Sequence, residues 1–273
     1  MNKPIMPITK EDIYSERLVC FIDILGFKEK IEETRCGKDL GTLRNITNTI
    51  WGISSYTERM IPGLDLPDHP EMKNFYDIQW GQFSDSVIIS VGVLGYDSFL
   101  WFFRFLQRIS YIMLEYDVVV RGGITYGDVF HKGNQIFGPA MNDAYILECK
   151  RAFYPRIILD SHAMRVVEEA ENEAKSKGDS IINKCLAFDP DFPYIDFICK
   201  NFQVREEEID NLRELHNRLR VVVSKYATHP EASVRAKYSW IEEKIPCLDT
   251  AIKTVLEKIE QNKIAFHAAR QKT

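Results

Sequence analysis

The chain has 273 residues, is 45% hydrophobic and 27% charged, and carries a formal net charge of −5. That is the make-up of a folded protein with one sizeable core, and its acidic balance argues against a chain that coats nucleic acid. Six cysteines (Cys20, Cys36, Cys149, Cys185, Cys199, Cys247) fall in no zinc-ligand spacing, and residues 1–7 show no signal-peptide pattern, so the expectation is a cytoplasmic protein with reduced, partly buried thiols.

In chain order, Arg17 to Ile24 is apolar and β-rich and predicts a strand, broken by Gly26. A helical stretch follows from about Lys28 to Met60, interrupted near Gly37 and Gly41, and Pro62, Pro67 and Pro70 mark a loop. Phe75 to Trp80 and Val87 to Val93 predict strands, with Gly81 to Asp85 as the turn between them. Ser98 to Leu114 is almost wholly apolar, yet it holds Arg104, Gln107 and Arg108 and is short for a membrane span. It predicts a helix, running to Glu115, that is buried on most sides or sits at a subunit interface. Val118 to Tyr126 predicts a strand ending at Gly127, and Asp128 to Gly138 a hairpin turning at Lys132-Gly133-Asn134. Ala140 to Ala152 predicts a helix and Arg156 to Asp160 a strand.

The order β-α-β-β-α-β predicts an α+β fold of ferredoxin-like, palm type, an antiparallel sheet with helices on one face. Beyond Asp160, helices alternate with one strand-like patch, Tyr194 to Lys200, and two amphipathic runs close the chain, about Glu206 to Ala227 and Glu231 to Asn262. The expected division is a domain over 1–160 and a mostly helical extension over 161–273 packed on it.

Two segments carry chemistry. Phe21-Ile22-Asp23-Ile24-Leu25-Gly26-Phe27 and Phe83-Ser84-Asp85-Ser86-Val87-Ile88-Ile89-Ser90 each place one carboxylate in an apolar, strand-like run. A buried, unpaired carboxylate is costly, so a cation or a set of hydrogen bonds must compensate. One such Asp alone reads as an edge-strand or turn residue. Two point to a shared solution, a pair of divalent metal ions of the kind that serves phosphoryl and nucleotidyl transfer. No basic residue neighbours either Asp in sequence. The histidines are scattered and receive no role.

These residues resemble a known family. The Asp23 segment resembles the first metal-binding strand of class III nucleotidyl cyclases, and Phe83-Ser84-Asp85 the hairpin with their second metal Asp. Arg121-Gly122-Gly123-Ile124-Thr125-Tyr126-Gly127 is similar to their Arg-x-Gly-Ile-x-x-Gly strand. Ile136-Phe137-Gly138-Pro139-Ala140-Met141-Asn142-Asp143-Ala144, followed by Leu147-Glu148, is similar to their Trp-Gly-x-x-Val-Asn-x-Ala segment. The match runs in order over about residues 17 to 160. It is nearer to the bacterial pyrimidine cyclases of Pycsar antiphage systems, through Gln82 to Ser90 and Tyr154-Pro155-Arg156-Ile157.

The resemblance implies conversion of a pyrimidine nucleoside triphosphate, UTP ahead of CTP, to a 3′,5′-cyclic monophosphate that activates a separate effector protein. It implies two divalent ions, manganese or else magnesium, held by Asp23, Asp85 and the Ile24 carbonyl. The backbone from Leu25 through Gly26 to Phe27 would cradle phosphates at a helix N-terminus, and Asn142 would position the ribose. The active sites would be shared across a homodimer, with no nucleic acid and no membrane among the partners. Two departures stand out. The family's purine-reading Lys and Asp fall by spacing on Gly81 and Gln135, and Gln135 offers an amide that suits uracil or cytosine. Its transition-state Arg falls on Ile146, leaving Arg151, Arg156 or Arg121 to supply the charge. That loss keeps a second class of function open, a cyclase fold without turnover that binds a nucleotide or a partner. A diguanylate cyclase is disfavoured, because Gln82-Phe83-Ser84-Asp85-Ser86 stands where its Gly-Gly-Asp/Glu-Glu-Phe hairpin would be.

Overall fold

β1 (Ser15–Ile24) is the hub of the sheet, antiparallel to β3 (Ser86–Gly92) on one side and to β4 (Val120–Lys132) on the other. The computed structural model describes residues 9–10, 13–35, 40–60, 77–92, 95–200 and 209–270. β2 (Ile78–Phe83) pairs antiparallel with β3 and gives the order β2-β3-β1-β4. This is the expected α+β arrangement, with β3 inserted between β1 and the strand that follows it in the chain.

Side chains alternate along β1. Leu18, Cys20, Ile22 and Ile24 enter the larger core, and Val19 and Phe21 point to the other face. The helical stretch expected over 28–60 is two helices, α1 (Phe27–Thr34) and α2 (Leu40–Met60). The larger core packs α2, α3 (Tyr96–Ile112) and, further on, α5 (Ser161–Ser176) against one face of the sheet. The expected placing of helices on one face holds for these three. α4 (Pro139–Arg151) lies against the opposite face through Ala140 and Ala144. The proline-marked loop over 61–76 and Cys36 lie outside the described residues.

Strand pairing overrides two glycine breaks expected from sequence. Gly127 pairs with Arg17, so β4 runs on through it. Gly81 pairs with Ile88, so β2 reaches Phe83 and the turn shrinks to Ser84-Asp85, with Ser84 at φ 55°. The hairpin turning at Gly133-Asn134 forms as expected, closing β4 on β5 (Gln135–Phe137).

α3 explains its own polar residues. Phe99, Phe102, Phe103, Phe105, Leu106 and Ile109 are buried, and Gln107 is buried beside them, its Nε2 donating to the Asp196 carbonyl at 2.8 Å. Arg104 donates to the Lys200 carbonyl at 3.2 Å. Among the described residues no helix is long and apolar enough to cross a membrane.

Beyond β4 the sheet continues. β6 (Ile157–Leu159) is parallel to β4; β8 (Pro193–Ile195) follows it, and β7 (Leu186–Phe188) forms the edge. Two strands thus stand where sequence suggested one, and both join the sheet of residues 1–160. α6 (Ile181–Cys185) precedes β7. The first closing run is α7 (Ile209–Ala227); the second divides into α8 (Ala232–Glu242) and α9 (Ile245–Arg270). Cys199 and Cys247 are joined as a disulfide, with Cα atoms 5.9 Å apart, which corrects the expectation of reduced thiols throughout. Cys20 and Cys185 are buried and Cys149 is exposed. The tertiary approach of the loop after β8 to the start of α9 made the pair, which sequence separation hid.

Candidate functional site

Asp23 is the penultimate residue of β1. Register sets it opposite Ser86 on β3 and Arg121 on β4. Asp85 precedes Ser86 in the tight turn, and its charge is felt at Asp23. The two carboxylates read from sequence are therefore brought together. Asp23 also has the basic partner that no sequence neighbour supplied. Arg121 donates from Nη2 at 3.3 Å and from Nε at 3.4 Å to Asp23 Oδ2. The guanidinium is shared: Nε lies 2.6 Å from Glu148 Oε1 on α4. That ion-pair contact is out of line for a hydrogen bond, so Glu148 Oε1 has no hydrogen-bond partner among the described residues.

Burial first, then the Glu148 and Asp85 charges, push the Asp23 carboxyl up to about 7 against the pull of Arg121. Glu148, 2% exposed, is also raised, by burial first and with Asp85 adding, again against Arg121. Among the described residues, one cation, Arg121, is thus set against three carboxylates. Asp23 and Asp85 offer hard carboxylate oxygens, and an added divalent ion would offset what burial and repulsion penalise there. Among the described residues no group of three or more His, Cys, Asp or Glu side chains is gathered as a metal cluster.

α4 reaches this position because of Gly123. A Cβ there would lie 2.6 Å from the Ala144 carbonyl oxygen and 2.9 Å from the Glu148 nitrogen, so only glycine admits the helix this close. Tyr145 packs edge-on against Phe21, with ring centroids 5.3 Å apart. Asn142, Ile146 and Arg151 are on exposed positions of α4. Within one chain the helix therefore brings Glu148 to Asp23, and no described contact brings Asn142 or Arg151 there.

Arg156, one of the three candidates for the site's cation, is engaged within the chain away from Asp23. It is 2% exposed, ion-paired with Asp189, and its Cζ lies 5.2 to 5.6 Å from the ring centroids of Tyr194, Tyr154 and Trp240. Burial lowers its pKa. Tyr154 of the box is a near neighbour in sequence, but Tyr194 and Trp240 come from β8 and α8, so no local signal foretold the rest.

At the end of β1, Gly26 at φ 75° turns the chain into α1 and is its N-cap, with no side-chain cap. A side chain there would meet nothing within 4 Å; the left-handed backbone is what favours glycine. The first N–H groups of α1, from the buried Phe27 onward, are left for another acceptor. Beside them opens a cavity of about 430 Å³ lined by Phe27, Ile50, Ser54, Trp80, Gln82, Ser84 and Asn134. Gly81 is buried beneath the hairpin, where a Cβ would lie 3.5 Å from the Gly133 carbonyl oxygen. Gln135 is exposed on β5. The fold thus brings Gly81 and the Gln135 hairpin together, but the side chains that line the cavity are their neighbours. Sequence reasoning missed Glu148 as a site carboxylate, Gln82 and Ser54. Only the spacing Trp80-x-Gln82 hinted at a shared face.

No protein-family model matches this chain, and no curated protein matches it. Solved structures do. The chain is similar to the adenylyl cyclase CyaB from P. aeruginosa, at 16% identity over 57% of this chain and 82% of that one, with a TM-score of 0.42. It is similar to a bacterial light-regulated adenylyl cyclase, at 17% identity over 57% and 81% of the two chains, with a TM-score of 0.40. It is similar to the catalytic core of a rhodopsin-guanylyl cyclase with converted specificity in complex with ATPαS, at 13% identity over 67% and 95%, with a TM-score of 0.40. At such TM-scores these likenesses decide nothing about chemistry.

Proposed function

We propose that this protein is a nucleotidyl cyclase that converts a pyrimidine nucleoside triphosphate, UTP ahead of CTP, to its 3′,5′-cyclic monophosphate. The observation that carries this reading is the meeting of Asp23 and Asp85 at one end of the sheet, beside the N-terminus of α1. In the reaction the ribose 3′-oxygen bonds to the α-phosphorus as its hydroxyl proton passes to solvent water. The bond from that phosphorus to the bridging oxygen of the β-phosphate breaks, and pyrophosphate leaves with the electron pair. Asp23, Asp85 and the Ile24 carbonyl are the groups that would hold two divalent ions, manganese ahead of magnesium, and such ions would make the 3′-hydroxyl more acidic and neutralise the leaving pyrophosphate. The backbone around Gly26 and Phe27 binds the phosphate oxygens. Arg121 stays with Glu148 when Asp23 turns to a cation.

Asn142 and Arg151, exposed on α4, suit presentation to a second copy of the chain, where Asn142 positions the ribose and Arg151 meets the charge at the phosphorus. The working unit is then a homodimer. Residues 1–160 are its catalytic part, and residues 161–273 pack on that part as an extension. From the resemblance, the product is a cytoplasmic messenger in antiphage defence, read by a separate effector protein. A second reading has its own support: Ile146 replaces an Arg and Arg156 is sequestered, as in a nucleotide-binding protein without turnover.

Incubation with labelled UTP, CTP, ATP and GTP and manganese separates these readings. The expected product is cyclic UMP. Cyclic AMP as main product would overturn the pyrimidine assignment, and manganese-dependent binding without product would establish the second reading.

A further inference from the structure

Arg121 is held unequally between two carboxylates. Its Nε carries one hydrogen, aimed at Asp23 Oδ2 3.4 Å away, and Nη2 adds a second long bond to the same oxygen at 3.3 Å. Glu148 Oε1 is much nearer, 2.6 Å from Nε, yet it lies out of line and accepts no hydrogen bond among the described residues. The guanidinium is thus bonded to one carboxylate and pressed against another. A small turn of its plane would bring Nε–H into line with Glu148 and release both bonds to Asp23. One short charge-assisted bond would then stand in place of two long ones. The Asp23 side chain is 20% exposed and that of Glu148 2%, so water can solvate the carboxylate released and cannot serve the one that gains the bond. Backbone fixes all three partners. Asp23 and Arg121 stand opposite each other across β1 and β4. The depth of Glu148 is set by Gly123, where a Cβ would lie 2.9 Å from the Glu148 nitrogen.

We propose that Arg121 is a stand-in cation for Asp23 in the metal-free protein, and that Glu148 is the positioning residue that takes Arg121 over when Asp23 accepts a divalent cation. The inference rests on the cyclase reading, which gives Asp23 its metal. A guanidinium and a divalent cation repel each other, so they do not share one carboxylate oxygen. Arg121 needs a second acceptor, and Glu148 supplies one with no movement of strand or helix. Without Glu148, Arg121 has Asp23 alone, and metal entry would strand a half-buried guanidinium without its partner. Glu148 acts here through Arg121 and is not itself a ligand.

The test is manganese affinity, read from the electron paramagnetic resonance signal of free Mn²⁺ as it is titrated into metal-free protein at pH 8. The chains compared are the wild type, Glu148→Gln, Glu148→Asp, Arg121→Gln and the double variant, with Asp23→Ala identifying the site concerned. Glu148→Gln should weaken that site by about tenfold, the worth of one hydrogen bond between charged groups. Glu148→Asp keeps the charge but falls one methylene short of Arg121, and should weaken the site similarly. In the Arg121→Gln background, Glu148→Gln should change the affinity by less than about twofold, because no guanidinium remains to be placed. A Glu148 that acted only as a nearby negative charge would give the same loss with and without Arg121, and none in Glu148→Asp. Either of those results overturns the proposal and leaves the cyclase reading intact. If Arg121→Gln does not fold, as judged by thermal melting, the contrast between Gln and Asp at position 148 carries the test. A wild type that binds manganese no better than Asp23→Ala also overturns the proposal. Product formation from the four triphosphates then decides separately whether the cyclase reading falls with it.

Discussion

Asp23 is where opposing forces meet on one side chain. Arg121 alone would hold the carboxyl low, yet burial and the neighbouring carboxylates prevail and raise it from 3.8 to about 7. A carboxyl raised by folding favours the folded state only while protonated. Its contribution is complete below about pH 4 and is lost as pH rises through about 7. Asp23→Asn should therefore melt higher than the wild type at pH 8 in EDTA, by a smaller margin at pH 5, and no higher below pH 4. Manganese should restore the wild type and leave the variant unmoved. An Asn variant less stable at pH 8 would show that the Arg121 pairing outweighs burial. Asp23→Asn and Asp85→Asn should each abolish turnover while remaining folded; near-normal turnover in either would end the two-metal reading. Arg156 makes the contrasting case. Breaking its buried pair with Asp189 leaves an uncompensated charge and an empty aromatic box, so Arg156→Ala should cost about 3 kcal/mol in chemical denaturation. Its residual turnover per folded molecule should be near that of the wild type, whereas loss of turnover with unchanged stability would restore it to the site.

At the scale of elements, the contact of α4 with β4 decides whether Glu148 meets Arg121. Gly123→Ala puts a methyl 2.6 Å from the Ala144 carbonyl, which is backbone and cannot rotate away. Either the helix moves or the strand bends, and overpacking of this kind costs about 1–3 kcal/mol. Denaturant unfolding should show that loss, and turnover should fall beyond what the lost stability explains, because Glu148 is carried away from Arg121. A variant with wild-type stability would mean that α4 sits more loosely than the 2.9 Å approach to the Glu148 nitrogen implies.

For the whole molecule the outstanding question is what lies over the exposed face of α4. Tyr145 and Ile146 are 48% and 45% exposed there, beside Asn142, a surface suited to a second copy. In a shared-site homodimer, Asp23→Ala and Asn142→Ala subunits, each inactive alone, should regain activity when mixed, since one of two sites becomes intact. Light scattering of the mixture should give a dimer. A fully active monomer at micromolar concentration would exclude the arrangement.

Much of this was legible in the sequence, because it is local. Apolar, β-rich runs predicted the strands around Asp23 and Ser90, the Gly133-Asn134 turn predicted the hairpin, and an isolated Asp in each of two apolar runs marked the candidate site. The chain order βαββαβ followed from these. What the sequence could not determine depended on register and on contacts far apart in the chain. Asp23 meets Arg121 because β1 and β4 pair with those residues opposite, and a slip of one residue would send them to different faces. β4 runs through Gly127 and β2 through Gly81 because ladder hydrogen bonds outweigh a local preference for a break. Arg156 was one candidate among three until β8 and α8 closed around it, Cys199 looked reduced until α9 arrived, and Glu148 met Arg121 only when α4 closed on β4. The sequence by itself determined which groups are present and the elements that carry them. Only the tertiary structure decided which are paired and which remain available to a ligand, because burial and partnership come from residues that the chain brings together only on folding.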